Sequence, residues 1–137
     1  MTLVVDASVA LTWYFQDEKS PATEAVLDQI GRTGAVVPPL WRLEVANAFQ
    51  VGIRRKRIDS QYRLDSLEDL GRLPILIDSE CDGYVWTRTL ELSDRYGLTI
   101  YDACYLELAD RHNLPLATLD RELRIAARAL GIGLLGQ

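Results

Sequence analysis

The stretch Leu3-Val4-Val5-Asp6-Ala7-Ser8 predicts the fold of this chain. Three consecutive apolar residues are typical of a strand that is buried on both faces, and such strands occur in parallel sheets that helices cover on each side. Asp6 ends this run, and a short helix is predicted to follow from Ser8 to Phe15. A strand that leads directly into a helix is the repeating unit of an α/β domain.

Short β-rich runs alternate with longer helical patterns along the remaining sequence. Ser20-Pro21 begins a helix with a good cap residue and a proline at its first position, and Gly31 to Gly34 ends it. The predicted strands are 3–5, 35–37, 74–77 and 114–118, and further helices are predicted at 41–56, 59–73, 81–96, 101–112 and 121–130, before an apolar tail at 132–135. This order predicts an α/β fold with a central parallel sheet that helices flank on both faces.

The length of 137 residues and the hydrophobic share of 48% predict one compact domain over residues 1–137. No apolar stretch reaches the roughly 18 residues that a membrane crossing needs, and the chain begins on a strand without a basic leader or a cleavage site. We therefore expect a cytoplasmic protein. Cys81 and Cys104 are far apart in helical patterns, so they are predicted to be reduced packing thiols.

The net charge of −5 argues against a protein that coats nucleic acid through general electrostatic attraction, but it is compatible with a nuclease. Arg54-Arg55-Lys56-Arg57 is a local basic cluster that can contact RNA phosphates. The same four residues are also typical of the solvated last turn of a helix, where cations interact favourably with the helix dipole. Both interpretations stay open.

Four acidic residues lie where a chain of this kind usually has apolar or turn residues: Asp6, Glu44, Asp102 and Asp120. A buried carboxylate is costly unless it is paired or bound to a cation. Asp6 and Asp120 follow predicted strands, and the other two acids lie in the first turns of predicted helices. Because ligands of parallel α/β sheets bind at the carboxyl ends of the strands, we expect the four side chains to converge there.

Helical periodicity refines the expected orientation of two of these acids. Residues three, four and seven positions apart share a helix face, which groups Glu44 with Leu40, Asn47, Ala48 and Val51, and Asp102 with Tyr105, Leu106 and Ala109. Both acids are therefore predicted to begin stripes that point into the protein. Glu107, five residues after Asp102, is predicted to turn away.

Each acid alone has an ordinary explanation as an N-cap, a helix-dipole partner or a member of a buried ion pair. Four together indicate a metal site, since perturbed acids cluster at functional sites. A set of oxygen ligands without histidine or thiolate favours Mg²⁺ or Mn²⁺ over zinc. Such an ion can take a phosphate oxygen and activate a water, so the predicted reaction is hydrolysis of a phosphodiester.

The four acids lie in four short motifs: Val5-Asp6-Ala7-Ser8, Leu43-Glu44-Val45-Ala46-Asn47, Thr99-Ile100-Tyr101-Asp102-Ala103-Cys104-Tyr105-Leu106 and Ala117-Thr118-Leu119-Asp120. Together these motifs resemble the PIN-domain family, and within it the small stand-alone toxins of VapC type. The order and spacing of the motifs are specific, and the resemblance covers essentially the whole chain. It implies that the acids of these motifs, Asp6, Glu44, Asp102 and Asp120, are metal-binding and catalytic, with Ser8 and Thr118 as supporting hydroxyls. A helix cap at Ser8 and a turn contact at Thr118 are the structural alternatives.

The resemblance also implies an activity and partners. Proteins of this type are Mg²⁺- or Mn²⁺-dependent endoribonucleases that cut a transfer, ribosomal or messenger RNA and block translation. They commonly form homodimers, and a VapB-type antitoxin holds them inactive. Trp13, Tyr14, Phe15 and Phe49 are candidates for the antitoxin groove or the dimer face, with core packing as the ordinary alternative. Arg121 follows Asp120 in place of a further acid, so one metal ion or two stays open.

Other functions compete with this one. The main alternative is a non-catalytic RNA- or protein-binding module on a PIN-like fold, because fold alone does not establish activity; the presence of all four acids argues against it. An aspartyl-phosphate enzyme would need a further acid close to Asp6 and a late lysine, and no lysine follows Arg57. Cleavage of DNA stays open, since nothing in the sequence reads a 2′-hydroxyl. His112 is expected to interact with a helix end rather than to act in catalysis.

Overall fold

A five-stranded parallel sheet forms the centre of the protein, which is described from a computed structural model over residues 2–137. The strands are β1 (Leu3–Val5), β2 (Ala35–Val37), β3 (Ile75–Ile77), β4 (Leu116–Ala117) and β5 (Leu134–Leu135). Their order is β3-β2-β1-β4-β5, and every neighbouring pair is parallel. The predicted α/β fold with a central parallel sheet is confirmed.

The fifth strand differs from the sequence-based prediction of an apolar tail at 132–135. Leu134 pairs with Leu116 of β4, and Arg124 Nη1 donates a hydrogen bond to the carbonyl oxygen of Leu135 at 3.0 Å. A strand of two residues has no periodicity of its own. Its structure comes from pairing with a distant strand, which local sequence does not reveal.

In the described part of the chain, eight α-helices surround the sheet. They are α1 (Ala7–Thr12), α2 (Pro21–Thr33), α3 (Leu40–Arg54), α4 (Ser60–Gly71), α5 (Cys81–Tyr84), α6 (Leu90–Tyr96), α7 (Ile100–His112) and α8 (Arg121–Ala129). Most predicted helices are confirmed to within a few residues. The helix predicted at 81–96 is divided into α5 and α6 by the π-helical segment Val85–Thr89, and the one predicted at 8–15 ends at Thr12 before a 3₁₀ turn at Gln16–Glu18.

The aromatic residues after β1 and on α3 belong mainly to the core. Trp13, Phe15 and Phe49 are all buried, and the ring centroids of Phe15 and Phe49 are 5.6 Å apart. Tyr14 is half-buried, and its hydroxyl donates to Asp69 Oδ2 at 2.7 Å. Core packing therefore accounts for three of the four aromatic residues that were candidates for a groove or a dimer face.

Glu107 corrects the expectation that it turns away from the protein. Its side chain is 2% exposed and accepts a hydrogen bond from Arg111 Nε at 2.6 Å. Arg111 Nη2 also lies 2.9 Å from Oδ2 of Asp78, which directly follows β3. Every residue of α7 from 103 to 109 is buried, so turning away from one buried stripe does not bring a side chain to solvent.

The two cysteines are packing thiols in the structure, as the sequence predicts. Cys81 and Cys104 are both buried and form no disulfide. Burial raises the pKa of the Cys104 thiol to about 11, which keeps it protonated at neutral pH. Within residues 2–137, no helix has the length and apolar character that a membrane crossing requires.

Candidate active site

Four acidic side chains surround a pocket at the carboxyl edge of the sheet. The pocket has a volume of about 320 Å³ and is lined by Asp6, Ala7, Ser8, Leu11, Glu44, Asn47, Ala48, Asp102 and Asp120. Asp6 directly follows β1 and Asp120 follows β4, whereas Glu44 and Asp102 lie near the beginnings of α3 and α7. The structure thus brings together at one pocket all four acids that the sequence places at this edge.

Asp6 is buried, and two hydroxyl groups hold its carboxylate. Ser8 Oγ donates to Asp6 Oδ2 at 2.9 Å, and Thr118 Oγ1 donates to the same oxygen at 2.7 Å. Asp6 itself is 6% exposed and Thr118 is fully buried. The Asp6 carboxylate therefore has a fixed orientation at the C-terminal end of β1.

The same two hydroxyls connect Asp6 to the segment that carries Asp120. The backbone N–H of Asp120 donates to Thr118 Oγ1 at 3.1 Å, and the backbone N–H of Leu119 donates to Ser8 Oγ at 3.1 Å. Each hydroxyl thus accepts from the β4–α8 connection and donates to the acid after β1. The turn contact at Thr118 and the contact with the acid are present together.

Glu44 hydrogen-bonds to Tyr105, a contact that the sequence analysis does not foresee. The Tyr105 hydroxyl donates to Glu44 Oε1 at 2.5 Å across 61 residues of chain. Tyr105 is fully buried on α7, one turn after Asp102. The sequence places Tyr105 on the same helix face as Asp102, which was the available signal for a role at the pocket. A tyrosine in an apolar stripe is explained as well by packing alone.

The predicted orientation of Glu44 within α3 is wrong in one respect. The buried face of α3 consists of Trp41, Val45, Phe49 and Gly52. Glu44 is only half-buried, and Asn47 on its own stripe is exposed. Glu44 therefore lies at the border of the buried face and lines the pocket instead of entering the core.

Asp102 and Asp120 both lie at helix beginnings, with different roles for their side chains. Thr99 caps α7, because its Oγ1 accepts from the backbone N–H of Asp102 at 3.1 Å. Asp120 caps α8 through Oδ1, which accepts from the backbone N–H of Leu123 at 2.8 Å. The N-cap explanation thus applies to one oxygen of Asp120. It does not apply to Asp102, because the N-cap of α7 is Thr99.

The carboxylates perturb one another across the pocket. Burial raises the pKa of Asp6 above its ordinary value, against the hydrogen bonds from Thr118 and Ser8, and the charge of Asp120 adds to the rise. Burial also raises the pKa of Glu44, with further contributions from Asp6 and Asp102. The pKa of Asp102 is raised by burial and by the charges of Asp120 and Asp6. The pocket therefore carries negative charge at a cost to the folded state.

No basic side chain of the described residues pairs with these four carboxylates. Within the described residues 2–137, none of the four acids forms a salt bridge. Nor are three acidic, histidine or cysteine side chains grouped closely enough in that part of the chain to enclose a metal ion. Mg²⁺ is usually held by one or two carboxylates, waters and substrate phosphates rather than by a closed protein cage. An open ring of uncompensated carboxylates fits that mode of binding.

The predicted basic cluster and His112 do not line the acidic pocket. Lys56 and Arg57 border a larger cavity of about 910 Å³ between the 3₁₀ turn and the α3–α4 connection. Arg57 Nη2 lies 2.9 Å from Asp17 Oδ1, and its guanidinium is 4.7 Å from the Phe15 ring centroid. His112 Nε2 lies 3.3 Å from Asp78 Oδ1. We assign the site to the pocket of about 320 Å³ because four carboxylates without a salt bridge converge there.

Comparison with known sequences gives a family match and a close curated relative. A family model described as the PIN domain matches residues 3–129. Ribonuclease VapC3 from Pyrobaculum aerophilum is 31% identical over 123 residues, which are 90% of this chain and 92% of that protein. The match with the family model includes all four acids of the pocket.

Solved structures with the same fold cover nearly the whole chain. PAE2754 from Pyrobaculum aerophilum is 26% identical with a TM-score of 0.67, over 92% of this chain and 87% of that one. VapBC2 from Rickettsia felis, bound to a DNA fragment from its promoter, is 18% identical with a TM-score of 0.63, over 98% and 97%. FitAcB from Neisseria gonorrhoeae is 15% identical with a TM-score of 0.62, over 98% and 96%. The last two similarities concern the fold alone.

Proposed function

Because the chain belongs to the PIN-domain family, as a member of VapC type, we propose that it is a Mg²⁺- or Mn²⁺-dependent endoribonuclease and the toxin of a toxin–antitoxin pair. The observation that carries this proposal is the group of four carboxylates around one pocket without a basic partner among residues 2–137. The name of the curated relative, Ribonuclease VapC3, supports RNA as the substrate.

In this proposal the four acids, Asp6, Glu44, Asp102 and Asp120, hold the cation. When bound, Mg²⁺ or Mn²⁺ would supply neutralisation of phosphate charge and a lowered pKa for an attacking water. Ser8 and Thr118 keep the Asp6 carboxylate in a fixed direction through hydrogen bonds of 2.9 and 2.7 Å. Asp6 is buried, whereas Glu44, Asp102 and Asp120 are each partly exposed. The protein therefore contributes preorganised negative charge at a pocket that stays open to water and substrate phosphate.

Partners of the chain follow from the same family membership. We propose a VapB-type antitoxin, which the name VapBC2 of a solved structure with a similar fold supports, and a homodimer as the active form. The RNA is a transfer, ribosomal or messenger RNA in the cytoplasm. We also propose that residues 1–137 act as one PIN domain, since β5 lies beyond the matched range 3–129 and completes the sheet.

The test uses purified, antitoxin-free protein and total cellular RNA, with Mg²⁺, with Mn²⁺ and with EDTA, followed by mapping of new RNA ends. Asp6→Asn removes one buried charge of the pocket, and Asp28→Asn makes the same chemical change at an exposed position of α2. Discrete cuts that need the metal, persist in Asp28→Asn and disappear in Asp6→Asn are the expected result.

Two results would overturn the proposal. Equal cleavage by the parent and by folded Asp6→Asn would show that the pocket is not the active site. Absence of cleavage by folded, metal-loaded protein would favour a binding module on the same fold. Single-stranded DNA as a parallel substrate decides whether the activity is restricted to RNA.

A further inference from the structure

A buried tyrosine connects two of the segments that build the acidic pocket. Tyr105 lies one turn after Asp102 on α7, and its hydroxyl donates to Glu44 Oε1 on α3 at 2.5 Å. One phenol oxygen thus links α3 and α7.

The burial of Tyr105 makes this contact obligatory for the folded chain. The side chain is completely buried, and a buried hydroxyl without a partner destabilises the folded chain. Among the described residues 2–137, Tyr105 is also the only side chain with a hydrogen bond to Glu44. Glu44 is half-buried at the border of the α3 core face, so the phenol is what fixes the direction of its carboxylate.

One of the two carboxylate oxygens of Glu44 is available to the pocket. Oε1 is engaged by Tyr105, while the residue lines the pocket beside Asp6 and Asp102. A hydrogen-bond donor behind one oxygen orients the other, as neighbours of metal ligands commonly do. Without the phenol, the carboxylate could rotate away from two like charges.

We propose that Tyr105 is a positioning residue that holds Glu44 in the direction required for divalent-cation binding. This inference rests on the proposed metal-dependent function of the pocket. Tyr105 lies behind Glu44 in the core and acts through it, so its contribution appears in the affinity for the cation before any RNA is bound.

The experiment measures Mn²⁺ binding to the full antitoxin-free chain by titration calorimetry. Tyr105→Phe removes only the hydroxyl and is expected to weaken Mn²⁺ binding about tenfold. Tyr14→Phe is the matched control, because it also deletes a phenol–carboxylate hydrogen bond, to Asp69 at 2.7 Å, but outside the pocket. It should leave Mn²⁺ affinity unchanged.

A double-variant cycle separates positioning from general loss of structure. If Tyr105 acts through Glu44, then Tyr105→Phe added to Glu44→Gln weakens Mn²⁺ binding no further than Glu44→Gln alone. An equal further loss in both backgrounds would overturn the inference. An unchanged Mn²⁺ affinity of Tyr105→Phe, while the parent binds Mn²⁺, would also overturn the inference. Absence of binding by the parent would instead refute the proposed metal dependence itself.

If Tyr105→Phe does not fold, a second measurement tests whether Tyr105 responds to cation binding. In the parent labelled with ¹³C-tyrosine, the ring resonances of Tyr105 should shift during Mg²⁺ titration, with the same midpoint as cation binding. The ring of Tyr14 should not shift. Tyr105 resonances that stay constant while Mg²⁺ binds would overturn the inference.

Discussion

The Thr118 hydroxyl lies 2.7 Å from Asp6 Oδ2, although 112 residues separate the two in the chain. Thr118 is fully buried, and its oxygen also accepts from the backbone N–H of Asp120. One side chain therefore sets the position of two acids of the pocket. Such a contact explains why a polar residue occupies the end of a buried strand, where an apolar residue would otherwise pack.

Thr118→Val tests this connection with little change in side-chain volume. Removal of the hydroxyl leaves the Asp120 N–H without its acceptor and Asp6 with one hydroxyl donor fewer. We expect RNA cleavage and Mn²⁺ affinity to fall about 10–100-fold, measured by initial rates and titration calorimetry. Thr12→Val is the control, since the Thr12 hydroxyl is also buried but donates to the Val9 carbonyl oxygen. Equal effects of the two variants would contradict the assigned role of Thr118.

Asp6→Asn should stabilise the protein in the absence of divalent cations. Burial raises the pKa of Asp6, so its ionised form is a cost to the folded state at pH 7.5. We expect the free energy of unfolding to increase by on the order of 1 kcal/mol, since one pKa unit corresponds to about 1.4 kcal/mol. The amide oxygen of asparagine can still accept from Ser8 and Thr118.

Thermal unfolding with and without Mg²⁺ measures the stabilisation by Asp6→Asn and the stabilisation by the cation. The parent should gain stability from the cation, because a ligand that binds only the folded state shifts the equilibrium. Asp6→Asn should lose that gain, and the exposed control Asp28→Asn should keep it. A destabilised Asp6→Asn without cation would show that the buried carboxylate is not a cost.

The four acids of the pocket could be found from sequence because each breaks an apolar run at a strand end or a helix beginning. Their convergence follows from parallel topology, which the apolar strands indicate. The partners of these acids could not be found in the same way. Whether Tyr105 packs or donates depends on which side chain of α3 lies beside it, and the two residues of this pair are 61 positions apart in the chain.

Two errors in the sequence analysis have related physical causes. The helical stripe predicts that Glu107 faces away, but α7 is buried throughout 103–109 and the acid is paired with Arg111. Within the predicted tail at 132–135, Leu134 and Leu135 form β5 because β4 offers an open edge beside them. Periodicity describes one element in isolation, whereas burial on several sides and strand pairing depend on neighbours that are distant in sequence.

The pair formed by Asp78 and Arg111 should make stability depend on pH. Burial alone would raise the pKa of Asp78, but hydrogen bonds from Arg111, Cys81 and His112 and the charge of Arg111 hold it well below its usual range. A carboxylate with a lowered pKa stabilises the folded state above its ordinary value of 3.8, and this contribution is lost as the pH falls through the lowered pKa.

Asp78→Asn should therefore lose about 1.5 kcal/mol at pH 7, because Arg111 loses a charged hydrogen-bond acceptor but keeps Glu107 as a partner. Urea unfolding at pH 7, 5, 3 and 2 should show the difference between parent and variant shrinking below pH 4. Asp82→Asn serves as the control, since Asp82 is exposed on the neighbouring α5. A difference that stays constant over this range would refute the assignment of the pH dependence to Asp78.

The basic run at residues 54–57 has two interpretations that salt dependence can separate. Arg54 ends α3, ten residues after Glu44, which corresponds to about 15 Å along the helix. Arg54 and Arg55 are both exposed, and neither forms a salt bridge within residues 2–137. If both contact phosphates of a single-stranded RNA, their replacement removes two charge contacts.

The double variant Arg54→Ala/Arg55→Ala should then raise KM several-fold, leave kcat and Mn²⁺ affinity unchanged, and reduce the slope of log kcat/KM against log salt concentration by about 1.4. Arg32→Ala is the control, because Arg32 lies at the end of α2, just before β2 begins at the opposite edge of the sheet. An unchanged salt slope in the double variant would assign the run to the solvated end of α3, where its charges serve the helix dipole alone.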